Sequence, residues 1–577
     1  MIRYDKHKLK SGIKTQVRVV EGYRDKDSKM KQRTIKNFGY LEDHVNNPTF
    51  IEQVTKFNEE YFKVKKDNKV LDIKPFYLDE SSVTYNYGYR FLESVYEALE
   101  LDKFFNNLDT NCEFPLNTIF KYLVIQRILN PDSKRATYQL KNNMYGFDNN
   151  FELHHIYRAL DIFNKVKVEL QKYINDRIKE IIGRDSSYAY YDVTNYYNEI
   201  DFPKDENDLR QRGVSKEHRV DPIIQLGLFI DSNGIPISMS LFRGNTSDTK
   251  TLQPVMKEIK ENYNLNRLIV VADKGLNSSS NINYIVNNKD GYVVSQIIRG
   301  KKGKRYQEKL FDESLYTYNK ERTFKYQEFI EEYQIINKEG KQETKKRKVL
   351  IYWKLEDAIL EARKRDDKLE RAIKSLGNNA YAIKHTYEQY IKEIHTVDKT
   401  GEAADKIERV LDENKINEDA LYDGYFCIIT SELDYDYKKI LEVYGSLWKI
   451  EESFRITKSD LEVRPIYVSN ESRINGHFLT CYVALVLVRL LQYKMNYTMS
   501  VERIVRALNS SKCIMEKDGV IRVLRNETVI ELEDDETIES DQALGDYLKI
   551  IEAYKCSIPQ SKYRVKQFQT FLKTIKY

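Results

Sequence analysis

The run Leu-Ile-Val-Val-Ala at 268–272 contains no polar residue and ends on Asp273, which is followed by Lys274 and Gly275. Apolar residues without alternation read as a strand covered on both faces, which calls for a layered α/β core around it. Other strands are legible nearby. Residues 187–193 are aromatic and β-branched, and carry Asp192 inside Tyr-Ala-Tyr-Tyr-Asp-Val-Thr. Residues 223–231 and 235–242 flank Asp-Ser-Asn-Gly at 231–234, a hairpin signal. Residues 292–297 and 425–431 complete the set.

Helical periodicity surrounds these strands. It fills residues 80–183, and it returns in one long helix over 437–461 and a second over 474–493. With 577 residues, the chain is expected to divide into three or more units. The expected order starts with a small basic β-rich module over 1–75 and a helical region over 80–183. A core follows, in two parts, over 184–300 and 421–500. An insertion over 301–420, with a charged hairpin around 337–340 and a charged helix over 355–376, separates the two parts. A C-terminal region covers 501–577.

Net charge is +5, which alone argues for no partner. Its distribution is more informative. Residues 1–36 hold twelve Lys/Arg against four Asp/Glu, residues 553–577 hold six Lys/Arg and no acid, and residues 529–541 hold seven acids and no base. Basic ends on a near-neutral body suit a polyanion, and each run is equally readable as a solvated surface. The five cysteines form no Cys-x-x-Cys pair, which argues against a zinc ribbon or a disulfide scaffold. The N-terminus is polar, and the most apolar stretch, 478–491, is interrupted by Arg489 and reads as a buried helix. A reducing cytoplasm and no membrane are the expectation.

Three acids stand out. Asp192 lies in mid-strand, where an unpaired carboxylate is costly to bury. Asp273 ends a buried strand at a glycine turn. Glu451 lies in the helix after the last strand. At 100° per residue, Tyr444, Glu451, Arg455 and Lys458 share a stripe about 60° wide, beside an apolar face formed by Val443, Leu447, Ile450, Phe454 and Leu461. Glu452 falls about 80° from Tyr444, so the wheel prefers Glu451. Taken singly, each aspartate is also explained as a strand-end cap or a salt bridge. Glu451 with Arg455 is also explained as an i, i+4 pair worth about 0.2–0.5 kcal/mol.

Together the three acids have a chemical use. Phosphodiester cleavage or transfer needs charge stabilised on both the attacking and the leaving oxygen, and two divalent ions about 3.5–4 Å apart supply it. Mg²⁺ takes carboxylate oxygens and keeps several waters, so a few acids suffice. Asp192, Asp273 and Glu451 can hold such ions if their two strands are neighbours and the helix packs across them. Tyr444, Arg455 and Lys458 would then contact phosphate oxygens. Lys216, His218 and Arg219 are equally readable as DNA contacts or solvated residues, and His477 as a core histidine. The basic clusters 299–305 and 345–348 are candidates for phosphate contacts.

These residues resemble a family, the bacterial insertion-sequence transposases of the DDE class marked by a Y-x2-R-x3-E-x6-K signature. Tyr444, Glu451 and Lys458 match three of its four positions, and Leu447 stands where the signature has Arg. Arg455 or Lys449 is a candidate substitute. Tyr191-Asp-Val-Thr194 and Val271-Ala-Asp-Lys-Gly275 match the two aspartate motifs. Further similarity runs through Gly213–Pro222, Gln225-Leu-Gly-Leu, Phe242–Asp248, Arg464-Pro-Ile-Tyr467 and the opening residues 20–40. In this order the motifs span most of residues 1–495.

The resemblance implies a ribonuclease H-like catalytic core interrupted by a β-containing insertion, with a helical N-terminal DNA-binding region. It implies cut-and-paste transposition with Mg²⁺ or Mn²⁺, two ions per active site, through a hairpin intermediate. It also implies a homodimer in a synaptic complex on double-stranded transposon-end DNA, acting on target DNA. The alternatives are a nuclease of the same fold without strand transfer and an inactive DNA-binding derivative.

Overall fold

A computed structural model describes residues 2–577 apart from 10–11, 25–29, 45–48, 68–82, 111, 186, 217–219, 264–266, 377–387, 398–402, 517–518 and 525–536. It divides into two compact units, Met1–Ser82 and Val83–Tyr577.

The first unit is an antiparallel sheet of β1 (Ile2–Leu9), β2 (Gly12–Arg24) and β3 (Met30–Tyr40), followed by helix α1 (Phe50–Asp67). Val17 and Val19 alternate inward from β2, and Phe50 and Val54, one turn apart on α1, are buried with them. The β-rich reading of 1–75 therefore lacks an 18-residue helix.

The second unit opens with β4 (Thr84–Asn86), α2 (Tyr89–Ala98), α3 (Leu101–Asn106), α4 (Leu116–Leu129), α5 (Lys134–Gln139), α6 (Leu153–Lys165) and α7 (Lys167–Ile182). Gly183, at φ +63°, ends α7 in the left-handed conformation that glycine adopts without strain. The core strands β5 (Tyr188–Tyr197), β6 (Ile223–Ile230) and β7 (Pro236–Arg243) then form an antiparallel meander. Helix α8 (Leu252–Asn262), β8 (Ile269–Ala272), α9 (Ser279–Asn287) and β9 (Gly291–Ser295) follow, with β8 parallel to both β5 and β9.

Residues 301–420 do not stand apart from this sheet. After the short helices α10 (Gly300–Gly303) and α11 (Gln307–Phe311) come β10 (Thr317–Tyr318), β11 (Phe324–Ile336) and β12 (Gln342–Lys354). These strands extend the core sheet through β15 (Tyr425–Thr430), giving the order β10-β11-β12-β15-β9-β8-β5-β6-β7. After β12, the described residues add α12 (Leu355–Leu376), the ribbon β13 (Ile391–Val397) with β14 (Ala403–Leu411), and α13 (Glu413–Ala420), all outside the sheet.

The expected single helix over 437–461 is broken. It forms α14 (Tyr437–Gly445), α15 (Trp448–Arg455) and a π-helical turn, Ile456–Asp460. Gly445 and Ser446 are poor helix formers, and the Ser446 hydroxyl bonds back to the Glu442 carbonyl at 3.1 Å. Leu447, Lys449 and Ile450 then bond three residues back instead of four, which tightens the chain into a new axis. At the far end the Leu461 N–H reaches Ile456 O, five residues back, which widens the last turn.

Helix α16 (Glu471–Lys494) is apolar and buried along most of its length, and α2, α4 and α6 pack around it on one face of the sheet. Among the described residues it is the one helix long and apolar enough to cross a membrane, and its apolar window is wholly inside the unit. Residues 501–577 form α17 (Val501–Ser510), β16 (Lys512–Met515), β17 (Val520–Leu524), α18 (Thr537–Tyr554), β18 (Lys562–Arg564) and α19 (Val565–Thr574). Strands β16, β17 and β18 share a four-stranded sheet with β4, so this region is not a separate body. The acidic stretch 529–541 lies largely outside the described residues.

Along β5, Tyr191 and Val193 join the core beneath α8 and α9, while Tyr190 and Tyr196 join the core of α15 and α16. Period-two alternation turns Asp192 toward the α15 and α16 face.

Candidate active site

Strands β5 and β8 run parallel in the register Tyr188↔Ile269, Ala189↔Val270 and Tyr190↔Val271. Two residues further along both chains, Asp192 stands level with Asp273. Asp192 is partly buried within β5, whereas Asp273 is exposed at the carboxyl end of β8. The carboxyl ends of parallel strands are where open α/β sheets present ligand-binding groups.

Asp273 is held from two sides. Its Oδ1 accepts from Ser295 Oγ at 2.8 Å, on β9, and from the Tyr444 hydroxyl at 3.2 Å, on α14. Burial, with the negative charges of Asp273 and Glu451, raises the Tyr444 hydroxyl far above its usual range, so it stays a donor. Glu451, exposed on α15, is close enough for its charge to act on the Tyr444 hydroxyl. Glu452, its neighbour, pairs instead with Arg489 Nη1 at 2.8 Å.

Asp192 sits in a strongly perturbed environment. Burial pushes its carboxyl up to about 6, and the charges of Asp248 and Asp273 push the same way. The Lys216 ammonium opposes them. That ammonium donates to the Val193 carbonyl beside Asp192 and lies 3.9 Å from Asp248 Oδ2. The loop carrying it is tied down by Asn195 Nδ2, which donates to Val214 O at 3.1 Å. The 3-10 turn Asp248–Lys250 packs against the turn Lys274–Leu276 that follows Asp273.

The cations of the predicted stripe separate. Lys458 lies 5.8 Å from the Tyr196 ring centre, on the same face of β5 as Asp192 but four residues, about 13 Å, further along. Arg455 pairs with Asp460 at 3.2 Å, a carboxyl also influenced by Glu452 and Glu502, and no contact joins it to Asp273. The π turn rotates the residues after Arg455, Lys458 among them, off the α-helical wheel, while Arg455 stays one turn from Glu451 on α15. Lys449 donates to Ser232 O at 2.6 Å, and Leu447 is half-buried against the core. Both candidate substitutes for the signature Arg are thus engaged elsewhere, and Lys216 is the cation beside Asp192.

Among the described residues, no three Asp, Glu, His or Cys side chains are gathered closely enough to hold an ion by themselves. Asp192 and Asp273, level on adjacent strands, carry hard carboxylate oxygens of the kind Mg²⁺ and Mn²⁺ take, and Glu451 carries another. The donor chemistry therefore fits a divalent ion.

Other readings resolve differently. His477 is buried, with Lys134 Nζ 3.2 Å from its Nδ1, and belongs to the core. His218 and Arg219 lie outside the described residues. The basic cluster at 345–348 is consumed by pairs: Lys345 with Glu343, Arg347 with Glu331, and Lys348 with Tyr435 O at 2.6 Å. By contrast, Lys301 and Lys304 are exposed and form no ion pair among the described residues. Ser295 and Arg489 were not legible as site residues. The only trace of Arg489 in the sequence was a charge interrupting an apolar helix.

A transposase DDE domain matches residues 208–487, a span that takes in Asp273 and Glu451 and begins beyond Asp192. The N-terminal domain of IS1634 family transposases matches residues 2–65. No curated protein matches the chain.

Proposed function

Because the chain belongs to the bacterial insertion-sequence transposases of the DDE class, we propose that it cleaves DNA at the ends of its own element and joins them to a target, using Asp192, Asp273 and Glu451. The observation carrying this reading is the level placement of Asp192 and Asp273 on parallel strands, with Tyr444 linking Asp273 toward Glu451. The strand order β7-β6-β5-β8-β9, a meander followed by two strands parallel to β5, supports a ribonuclease H-like core.

Asp192, Asp273 and Glu451 would hold divalent ions, Mg²⁺ or Mn²⁺, two per site in this reading. Bound there, such ions stabilise charge on the attacking and leaving oxygens of a phosphodiester. The remaining roles fall to this chain's own groups. Tyr444 and Ser295 fix the Asp273 carboxylate through two hydrogen bonds. Lys216 brings positive charge beside Asp192, where a scissile phosphate would lie. Lys458 and the exposed Lys301 and Lys304 would contact the DNA backbone further out, and Arg455 would join them if its pair with Asp460 opens.

In the first step water attacks the phosphorus at the transposon end, and the P–O3′ bond breaks to release a 3′-hydroxyl. In the next step that hydroxyl attacks a phosphorus of the opposite strand, which makes the hairpin and releases the flanking DNA. Water then opens the hairpin, and the regenerated 3′-hydroxyl attacks target DNA. Acting on two ends requires two active sites, and a homodimer on paired ends would provide them.

The test uses end DNA and pre-cleaved end DNA with the purified chain. Asp192→Asn should abolish both cleavage and joining. Cleavage surviving in that variant would sink the acid assignment. A wild-type chain that cleaves yet never joins pre-cleaved ends would be a nuclease alone.

A further inference from the structure

Glu451 and Glu452 are adjacent, and a helix sets adjacent side chains about 100° apart. Whatever captures one carboxylate therefore decides where the other points. Helix α15 inherits little orientation from its neighbours, since a break precedes it and a π turn follows it.

Its rotation is fixed from α16 instead. Arg489 is only 1% exposed. Its Nε donates to Gly234 O at 2.9 Å, and its Nη1 donates to Glu452 Oε2 at 2.8 Å and to Gln492 Oε1 at 3.0 Å. Gly234 closes the β6–β7 turn at φ +77°, and a Cβ there would lie 2.2 Å from Arg489 Nη2. Only glycine meets both demands.

The turn itself is cross-braced. Asp231 Oδ1 accepts from the Asn233 and Ile235 N–H groups at 2.9 Å each, and Asp231 Oδ2 pairs with Arg184 at 2.9 Å. Lys449, two residues before Glu451, donates to Ser232 O in the same turn at 2.6 Å. Two side chains of α15 are thus tied to one hairpin end, Lys449 directly and Glu452 through Arg489.

We propose that Arg489 and Glu452 form an orientation clamp, and that Arg489 is a positioning residue for the reaction. By holding Glu452 toward α16 and the β6–β7 turn, the clamp turns Glu451 toward Asp192 and Asp273. A planar guanidinium suits the task because its donors meet a carbonyl and a carboxylate in fixed directions, which an ammonium does not. The inference rests on the reading of Glu451 as an ion-holding carboxylate.

Glu452→Gln keeps the side-chain shape and removes the charge. End-DNA binding should stay within about twofold of wild type, while cleavage slows about tenfold, within the range typical of residues that orient ligands. Mn²⁺ half-saturation without DNA, read from its electron paramagnetic resonance signal, should rise about tenfold on the same grounds. Lys449→Met removes only the Ser232 link, and should move both readouts the same way by about threefold. Glu452→Asp, which keeps the charge, should recover part of the loss.

The clamp is overturned if folded Glu452→Gln and Lys449→Met both cleave and bind Mn²⁺ as wild type. If Glu452→Gln does not fold, Lys449→Met alone decides. Asp192→Asn, run in parallel, separates the two levels. If that variant is inactive and the clamp variants are normal, only the clamp fails. If it is active, the acid assignment fails first.

Discussion

The Tyr444 hydroxyl donates to Asp273 Oδ1 across 3.2 Å, joining the helix before Glu451 to the end of strand β8. This bond anchors the end of α14 immediately before the break that leads into α15, and so fixes the point from which the Glu451 segment departs.

Tyr444→Phe removes that bond and keeps the ring. Asp273 retains Ser295 as a donor, so the fold should hold, with the melting temperature within a few degrees of wild type. A lost hydrogen bond to a charged group is worth about 1.5–3 kcal/mol, which corresponds to cleavage slowed by roughly ten- to a hundredfold. Single-turnover cleavage of end DNA measures it. An unchanged rate would mean the bond serves no step.

Asp192 makes stability depend on pH. Its carboxyl is raised from 3.8 to about 6, so between those values the folded chain holds a proton that the unfolded chain has lost. Stability should therefore fall as pH rises through that window in the absence of divalent ions. Above it the penalty is complete. Asp192→Asn should be more stable at pH 7.5, by up to about 3 kcal/mol, with no gain below pH 4. Thermal melts across pH, with the chelator present, test the sign.

Divalent ions should reverse that penalty. Ligand at a hundred times its dissociation constant adds about 2.7 kcal/mol, or several degrees for a chain of this size. Mn²⁺ should raise the wild-type melting temperature by that order. Asp192→Asn and Asp273→Asn should melt at the same temperature with and without it. A shift that persists in both variants would place the ion elsewhere.

Lys301 and Lys304 are exposed cations without ion pairs among the described residues. Each phosphate contact contributes about 0.9 to the slope of log affinity against log salt. Changing both to Glu should flatten the slope for end DNA by about 1.8 or more, and weaken binding alike across DNA sequences. Lys345→Glu, where the lysine is paired with Glu343 on its own strand, should leave the slope as it was.

Much of this arrangement is legible in the sequence. The strands around Asp192 and Asp273 announced themselves by composition, and the β6–β7 turn by Asp-Ser-Asn-Gly. What escaped was non-local or conformational. A helical wheel assumes one axis, and the Gly445–Ser446 break takes Tyr444 off the axis that carries Glu451 and Arg455, while the later π turn takes Lys458 off that wheel. The charged composition of 301–420 suggests an insertion domain, yet β12 pairs with β15 and carries β11 with it into the core sheet, a pairing that composition does not identify. Arg489 looked like a blemish in an apolar helix. Its acceptors, Gly234 and Glu452, are distant in the chain and adjacent only once it folds.

The sheet that pairs β4 with β16 has a consequence for decayed copies of such a gene. Asn86 meets Lys512, and Val520 meets Arg564, so the second unit has its first strand closed by some of its latest-synthesised ones. A reading frame interrupted before residue 512 would leave β4 with an unfilled edge, the kind of surface that recruits other chains into aggregates. Premature stop codons should therefore yield insoluble or rapidly degraded product, and not a shortened competitor that occupies the element's ends.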